Sequence, residues 1–139
     1  MPARAVVLDT NVFVAAGFNA RSASARIVEA VRRGRLRMTW NDATRREIER
    51  ILHGIPPLRD RPVAELFRPA DRVTVETRPE RFADIPDSDD WKFAALAHAT
   101  GATLVSSDAH LLRYRGPLPL RVLAPASFWR HRRPGGRSG

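Results

Sequence analysis

The sequence predicts an α/β domain built around a mostly parallel sheet. Short apolar runs of strand type alternate with stretches of helical period, the pattern left by parallel strands joined through crossover helices. Two of the apolar runs also end alike: AVVL stops at Asp9, and ATLVSS, about a hundred residues later, stops at Asp108. Ligands of parallel sheets bind beyond the carboxyl ends of the strands. A carboxylate placed there can face a ligand crevice.

Residues 5–8 are a continuous apolar run of buried-strand type. Residues 24–33 read as a helix, with Ile27, Val28 and Val31 in one stripe and Gly34 placed to cap its C-terminus. Residues 36–40 form a second strand candidate. Asn41 or Asp42 then N-caps a helix running through Leu52, with Gly54 as its stop. From residue 55 to 79 the signal weakens, because Pro56, Pro57, Pro62, Pro69 and Pro79 interrupt it; a short helix and a strand over 73–76 are expected there. Asp87 or Ser88 starts a helix to Thr100, followed by Gly101. Residues 103–106 give a strand, 109–114 a short helix and 120–123 the last strand. From Arg130 the chain reads RHRRPGGRSG, a basic, Gly-rich stretch expected to be disordered. One domain over residues 1–129 and a tail over 130–139 are therefore expected.

The 139 residues suffice for one domain with a core, and 43% hydrophobic with 28% charged residues is ordinary for a globular protein. The absence of cysteine excludes disulfides and thiolate metal sites and fits a reducing cytoplasm, the expected location. No run approaches the roughly 18 apolar residues of a membrane span, and the N-terminus lacks the apolar core of a secretory signal. Net charge is 24 − 15 = +9, which favours polyanions, nucleic acid first among them. Every Lys or Arg except Lys92 is arginine, however, a bias that GC-rich codon usage gives by itself.

Four acids carry the chemistry. Asp9 and Asp108 each admit two readings, as caps of the following turn or helix or as site carboxylates. DSDDWKFAALAHA says more. At about 100° per residue, Phe93, Leu96, Ala97 and Thr100 share a stripe with Asp89 and Asp90, while Trp91 and Lys92 point away. Acids on the packing face of a helix start look into the molecule; Asp87 reads as a cap. In ATRREIERILHG, Glu47 and Glu49 flank the apolar stripe. Glu49 has Arg45 and His53 one turn away for a surface ion pair, whereas Glu47 has only Arg50, which favours Glu47 as the functional acid. Convergent carboxylates repel unless a cation neutralises them, and all-oxygen ligation selects Mg²⁺ or Mn²⁺. The chain has no HExxH, no Cys/His cluster and no Gly-rich phosphate loop. A phosphatase of the haloacid dehalogenase type would need a second Asp where Asn11 stands.

VVLDTNVFVAA, TRREIERIL and DSDDWKFAALAHATGATLVSSDAHLL together resemble a PIN domain, and more closely the VapC-like toxin components of bacterial toxin–antitoxin pairs. The resemblance covers nearly the whole chain. It implies a three-layer α/β/α sandwich and a metal-dependent ribonuclease. It places the acidic site on Asp9, Glu47, Asp90 and Asp108, with Asp9, Asp90 and Asp108 as ligands of Mg²⁺ or Mn²⁺. Asn11 and Ser106 match polar positions that orient the acids, Asp89 stands beside them, and Ser106 replaces the more usual Thr. The stretch from Gly54 to Arg81 is shorter and richer in proline than is usual for this branch. Arg45, Arg113 and Arg115 are the arginines expected to hold RNA phosphates. A cognate antitoxin and a homodimer are implied as partners, with no membrane. A PIN-like module that binds RNA or a partner without turnover is the alternative.

Overall fold

In the computed structural model, which describes residues 4–132, four strands form one all-parallel sheet in the order β2-β1-β3-β4. They are β1 Arg4–Leu8, β2 Leu36–Met38, β3 Thr103–Val105 and β4 Val122–Leu123. β1 is central: Val6 pairs with Met38 on one side and Thr103 on the other. Val6, Val7 and Leu8 are all buried, so both faces of the sheet are covered. That explains a continuous apolar run in place of alternation.

Among the described residues six α-helices accompany the sheet: α1 Thr10–Phe18, α2 Ala23–Arg32, α3 Asp42–His53, α4 Trp91–Thr100, α5 Ala109–Leu112 and α6 Pro125–Arg132. α1 and α6 both pack on α2, while α4 lies against β1 and β3. Parallel connections are almost always right-handed. The chain leaves β1 for β2 and later crosses back past β1 to β3, so this handedness puts α1 and α2 on one face and α3 and α4 on the other, giving three layers. The direction reverses between β1 and β3, and the crevice beyond their carboxyl ends is the switch point where such sheets bind ligands.

Local chemistry accounts for the boundaries. Of the two candidate caps of α3, Asn41 takes the role: its Oδ1 accepts from Thr44 N at 3.0 Å and its N–H donates to Thr44 Oγ1 at 3.1 Å. Asp42 sits in the first turn and pairs with Arg72 at 2.8 Å. Ser22 caps α2. Gly34 and Gly101 follow α2 and α4 with φ of 78° and 74°, the only positive values among the described residues.

Several expectations are corrected. α1 and α6 are not legible as helices in the sequence. α1 is apolar nearly all round, so it shows no helical stripe, and its Gly17 packs against Leu58. α6 begins at Pro125, a residue suited to the first helical position, and buries Phe128. Arg130, His131 and Arg132, expected in a disordered tail, belong to α6; residues 133–139 lie outside the described residues. The strand expected over 73–76 is a single bridge, Trp40 to Arg72, with Val73 N donating to Trp40 O. The partner edge runs out there, because Asn41 turns the chain into α3. The proline-rich stretch forms separate 3₁₀ turns, Pro56–Leu58, Ala64–Leu66, Pro69–Asp71 and Pro79–Phe82, with Leu58, Leu66 and Phe82 buried.

A Cβ at Gly101 would meet no atom within 4 Å, so only the backbone conformation forbids one. Gly101→Ala is expected to cost about 1 kcal/mol and to lower Tm by about 3–5 °C in a domain of this size, read by thermal denaturation.

Candidate active site

Asp9 leaves the end of β1 and is held from four directions. Its N–H donates to Val105 O at 3.0 Å, continuing the β1–β3 ladder by one bond. Its Oδ1 accepts from Thr10 N at 2.7 Å and so caps α1. Its Oδ2 accepts from Ser106 Oγ at 2.7 Å and from Asn11 Nδ2 at 3.1 Å. Ser106, fully buried, also accepts from Asp108 N at 3.0 Å. Ser107 N in turn donates to Asn11 Oδ1 at 3.4 Å. The ends of β1 and β3 are thus tied together through side chains. Asp108 caps α5, its Oδ1 accepting from His110 N at 2.7 Å. For Asp9 and Asp108, cap and site carboxylate are therefore not alternatives: each caps a helix with one oxygen beside the crevice.

The helix carrying Asp90 starts differently from the wheel's assumption. Asp87 accepts from Asp89 N at 2.9 Å and opens a 3₁₀ turn, Ser88–Asp90, before α4 begins. A 3₁₀ turn advances by about 120° per residue, so Asp89 and Asp90 part company. Asp90 is buried, whereas the Asp89 side chain is 58% exposed. Lys92, expected to point away, reaches back to Glu47 Oε1 at 3.4 Å. Glu47 is also gripped by Arg50 through both oxygens, at 3.1 and 3.0 Å. Glu49 pairs with Arg45 at 3.0 Å.

Asp9, Asn11, Glu47, Asp87, Asp89, Asp90 and Asp108 line one cavity of about 270 Å³. All four acids singled out from the sequence are therefore brought together. Two further residues at this place escape sequence reasoning: Asp87 reads only as a cap and Lys92 as an outward residue. For Lys92 the lone-lysine composition is the available signal. Arg45 is not part of this cavity. Its guanidinium lies over Trp40 and Phe67, 5.4 and 4.8 Å from the ring centroids. Arg113 and Arg115 line a neighbouring cleft of about 310 Å³ together with Asp84, His110 and Tyr114.

The family model of the PIN domain matches residues 5–110, a span that includes all four acids. The chain belongs to the PIN domain family. PIN domains are usually nucleases, bind nucleic acids and generally depend on divalent metal. No curated protein and no solved structure matches the chain.

Among the described residues, two buried side-chain oxygens lack any hydrogen-bond partner, Thr10 Oγ1 and Asp90 Oδ2, and both residues line the acidic cavity. Buried polar atoms are nearly always paired, so two orphans at one place mark a position for a missing partner. Burial raises the Asp90 carboxyl to about 7, and the charges of Asp9, Asp108 and Asp87 push the same way. Burial also raises Asp9, against the hydrogen bonds from Ser106 and Thr10. These are the electrostatics of a carboxylate group short of positive charge. Among the described residues no three acids or histidines form a ready-made metal cage. Mg²⁺ does not demand one, since it keeps several waters and is commonly held by one or two carboxylates. The donor set fits.

Between the ordinary carboxyl range and about 7, the folded protein holds a proton on Asp90 that the unfolded chain has lost. Stability of the metal-free protein therefore falls as pH rises through that window. Asp90→Asn should raise Tm of the metal-free protein at pH 8 by about 3–5 °C, as ~1 kcal/mol does after discounting for solvent at the cavity mouth, and the gain should vanish at pH 4.

Proposed function

We propose that this PIN domain is a Mg²⁺- or Mn²⁺-dependent endoribonuclease that hydrolyses RNA phosphodiester bonds. The observation that carries the reading is a cavity lined by six carboxylates, two of whose residues, Thr10 and Asp90, each keep a buried side-chain oxygen without a hydrogen-bond partner. Asp9 and Asp90 are the principal metal ligands, with Asp108 as a third, direct or through water. When bound, the divalent cation supplies an activated water and polarises the phosphoryl oxygens. Ser106 and Asn11 fix the Asp9 carboxylate before substrate arrives, so no reorganisation is needed during reaction. Glu47, held by Arg50 and Lys92, presents a fixed acceptor at the side of the cavity.

Segments 84–90 and 108–116 wall both the acidic cavity and the basic cleft. An RNA strand leaving the acids would pass into that cleft. There Arg113 and Arg115 hold its phosphates; such contacts position the backbone without reading bases. The toxin role rests on the motif resemblance. So do a protein antitoxin and a homodimer as partners. The cytoplasmic setting rests on the lack of cysteine.

Wild type is expected to cut a mixed RNA pool with Mn²⁺ or Mg²⁺ and to stop in EDTA. Asp9→Asn should cut under none of these conditions while keeping its circular dichroism spectrum; cleavage by that variant overturns the assignment. No cleavage by wild type, together with no Mn²⁺ binding by calorimetry, supports the non-catalytic binding module. Arg113→Ala with Arg115→Ala should raise KM about tenfold and leave kcat within about twofold. The salt slope of single-stranded RNA binding should fall by about 1.4, or about 0.7 for each phosphate that an arginine no longer neutralises.

A further inference from the structure

Lys92 is the only lysine among 24 Lys and Arg residues, and it stands at the edge of the acidic cavity. Its Nζ lies 3.4 Å from Glu47 Oε1 and 3.9 Å from Asp89 Oδ1, two of the carboxylates that line that cavity. The Lys92 side chain is 23% exposed and that of Glu47 only 10%. The contact crosses from α4 to α3, and Arg50 closes on Glu47 from its own helix.

Charge therefore divides the cavity in two. Glu47 and Asp89 already have cationic partners. Among the described residues, Asp9, Asp90 and Asp108 form no ion pair, and the orphaned Asp90 Oδ2 lies with them. Two-metal phosphodiesterases place their ions about 3.5–4 Å apart. Here the carboxylate that would receive a second ion is already bonded to an ammonium, and another cation beside it would meet like charge. A lysine suits this position better than an arginine. Its ammonium is a compact point charge that fits between two carboxylates, whereas a guanidinium is a broad planar fork, and Arg50 Nη2 already donates to both Glu47 oxygens.

We propose that Lys92 is a built-in counter-ion that fills the Glu47 side of the cavity, positions Glu47 and limits the site to one divalent cation beside Asp9, Asp90 and Asp108. Lys92 is a positioning residue in this scheme. The proposal rests on the metal-dependent reading above and deepens it.

The test is Mn²⁺ stoichiometry by calorimetry and by electron paramagnetic resonance, with no RNA present. Wild type should bind one Mn²⁺ per chain. Lys92→Met and Lys92→Gln, which remove the charge and keep much of the side chain, should each bind a second Mn²⁺. Lys92→Arg should return to one. Two ions in wild type overturn the proposal, and so does a single ion with unchanged affinity in both neutral variants. No Mn²⁺ in wild type overturns the metal-dependent reading itself, and this inference with it. Thermal melts of all four proteins establish that folded chains are compared; should one neutral variant fail to fold, the other decides.

Discussion

The hydrogen bond from Ser106 Oγ to Asp9 Oδ2, with the ladder bond from Asp9 N to Val105 O, closes the sheet at its switch point. It sets where the carboxylate can point. Because β1 lies between β2 and β3, a displacement of Asp9 would disturb the sheet at its centre, not at an edge. Asp108 hangs from the same hydroxyl through its own N–H, so the spacing between two of the acids follows from how β3 ends. Glu47 and Asp90 arrive from α3 and α4. The site is thus an outcome of the parallel topology, which delivers strand ends and helix starts to one rim.

Around that rim the chain treats its charges unevenly. Elsewhere several acids are paired with arginine: Glu29 with Arg32 and Arg33, Glu65 with Arg32, Asp71 with Arg37, Asp42 with Arg72. Such exposed pairs contribute little each to stability. Arg68 does more, donating to Val31 O and Arg32 O and so closing the C-terminal carbonyls of α2. By contrast, the buried Asp9 and Asp90 and the half-buried Asp108 are left without cations, and for the two buried acids that is costly. A fold that pairs many of its surface acids and leaves these three bare at one rim holds that energy at a single place.

Much of this is legible in the sequence, for identifiable reasons. Strands β1 and β3 are marked by apolar runs, α2 and α3 by their stripes, and helix ends by Asn41, Gly34 and Gly101. The acids at strand ends are visible because a charge there interrupts an apolar run. What escapes has physical causes as well. α1 is apolar on every side and shows no period. The 3₁₀ turn at Ser88–Asp90 rotates Asp89 outward, which a fixed 100° wheel cannot represent. Arg45 has the charge for a phosphate contact, but the rings of Trp40 and Phe67 beneath it engage its guanidinium. The role of Lys92 is hidden because its reach to Glu47 joins residues 45 positions apart.

Asp9 and Asp108 each hold a helix start with one carboxylate oxygen, whereas Asp90 caps nothing with its side chain. This difference bears on how descent erodes such a site. In a lineage released from the need to cut nucleic acid, selection for a folded chain would still retain a capping side chain, Asp, Asn, Ser or Thr, at positions 9 and 108. Asp90, costly where it stands, would be free to drift to Asn, Ser or Ala with a gain in stability. A polar cap at the two strand ends is therefore a poor marker of a living enzyme in this architecture. The informative position is the one whose side chain caps nothing.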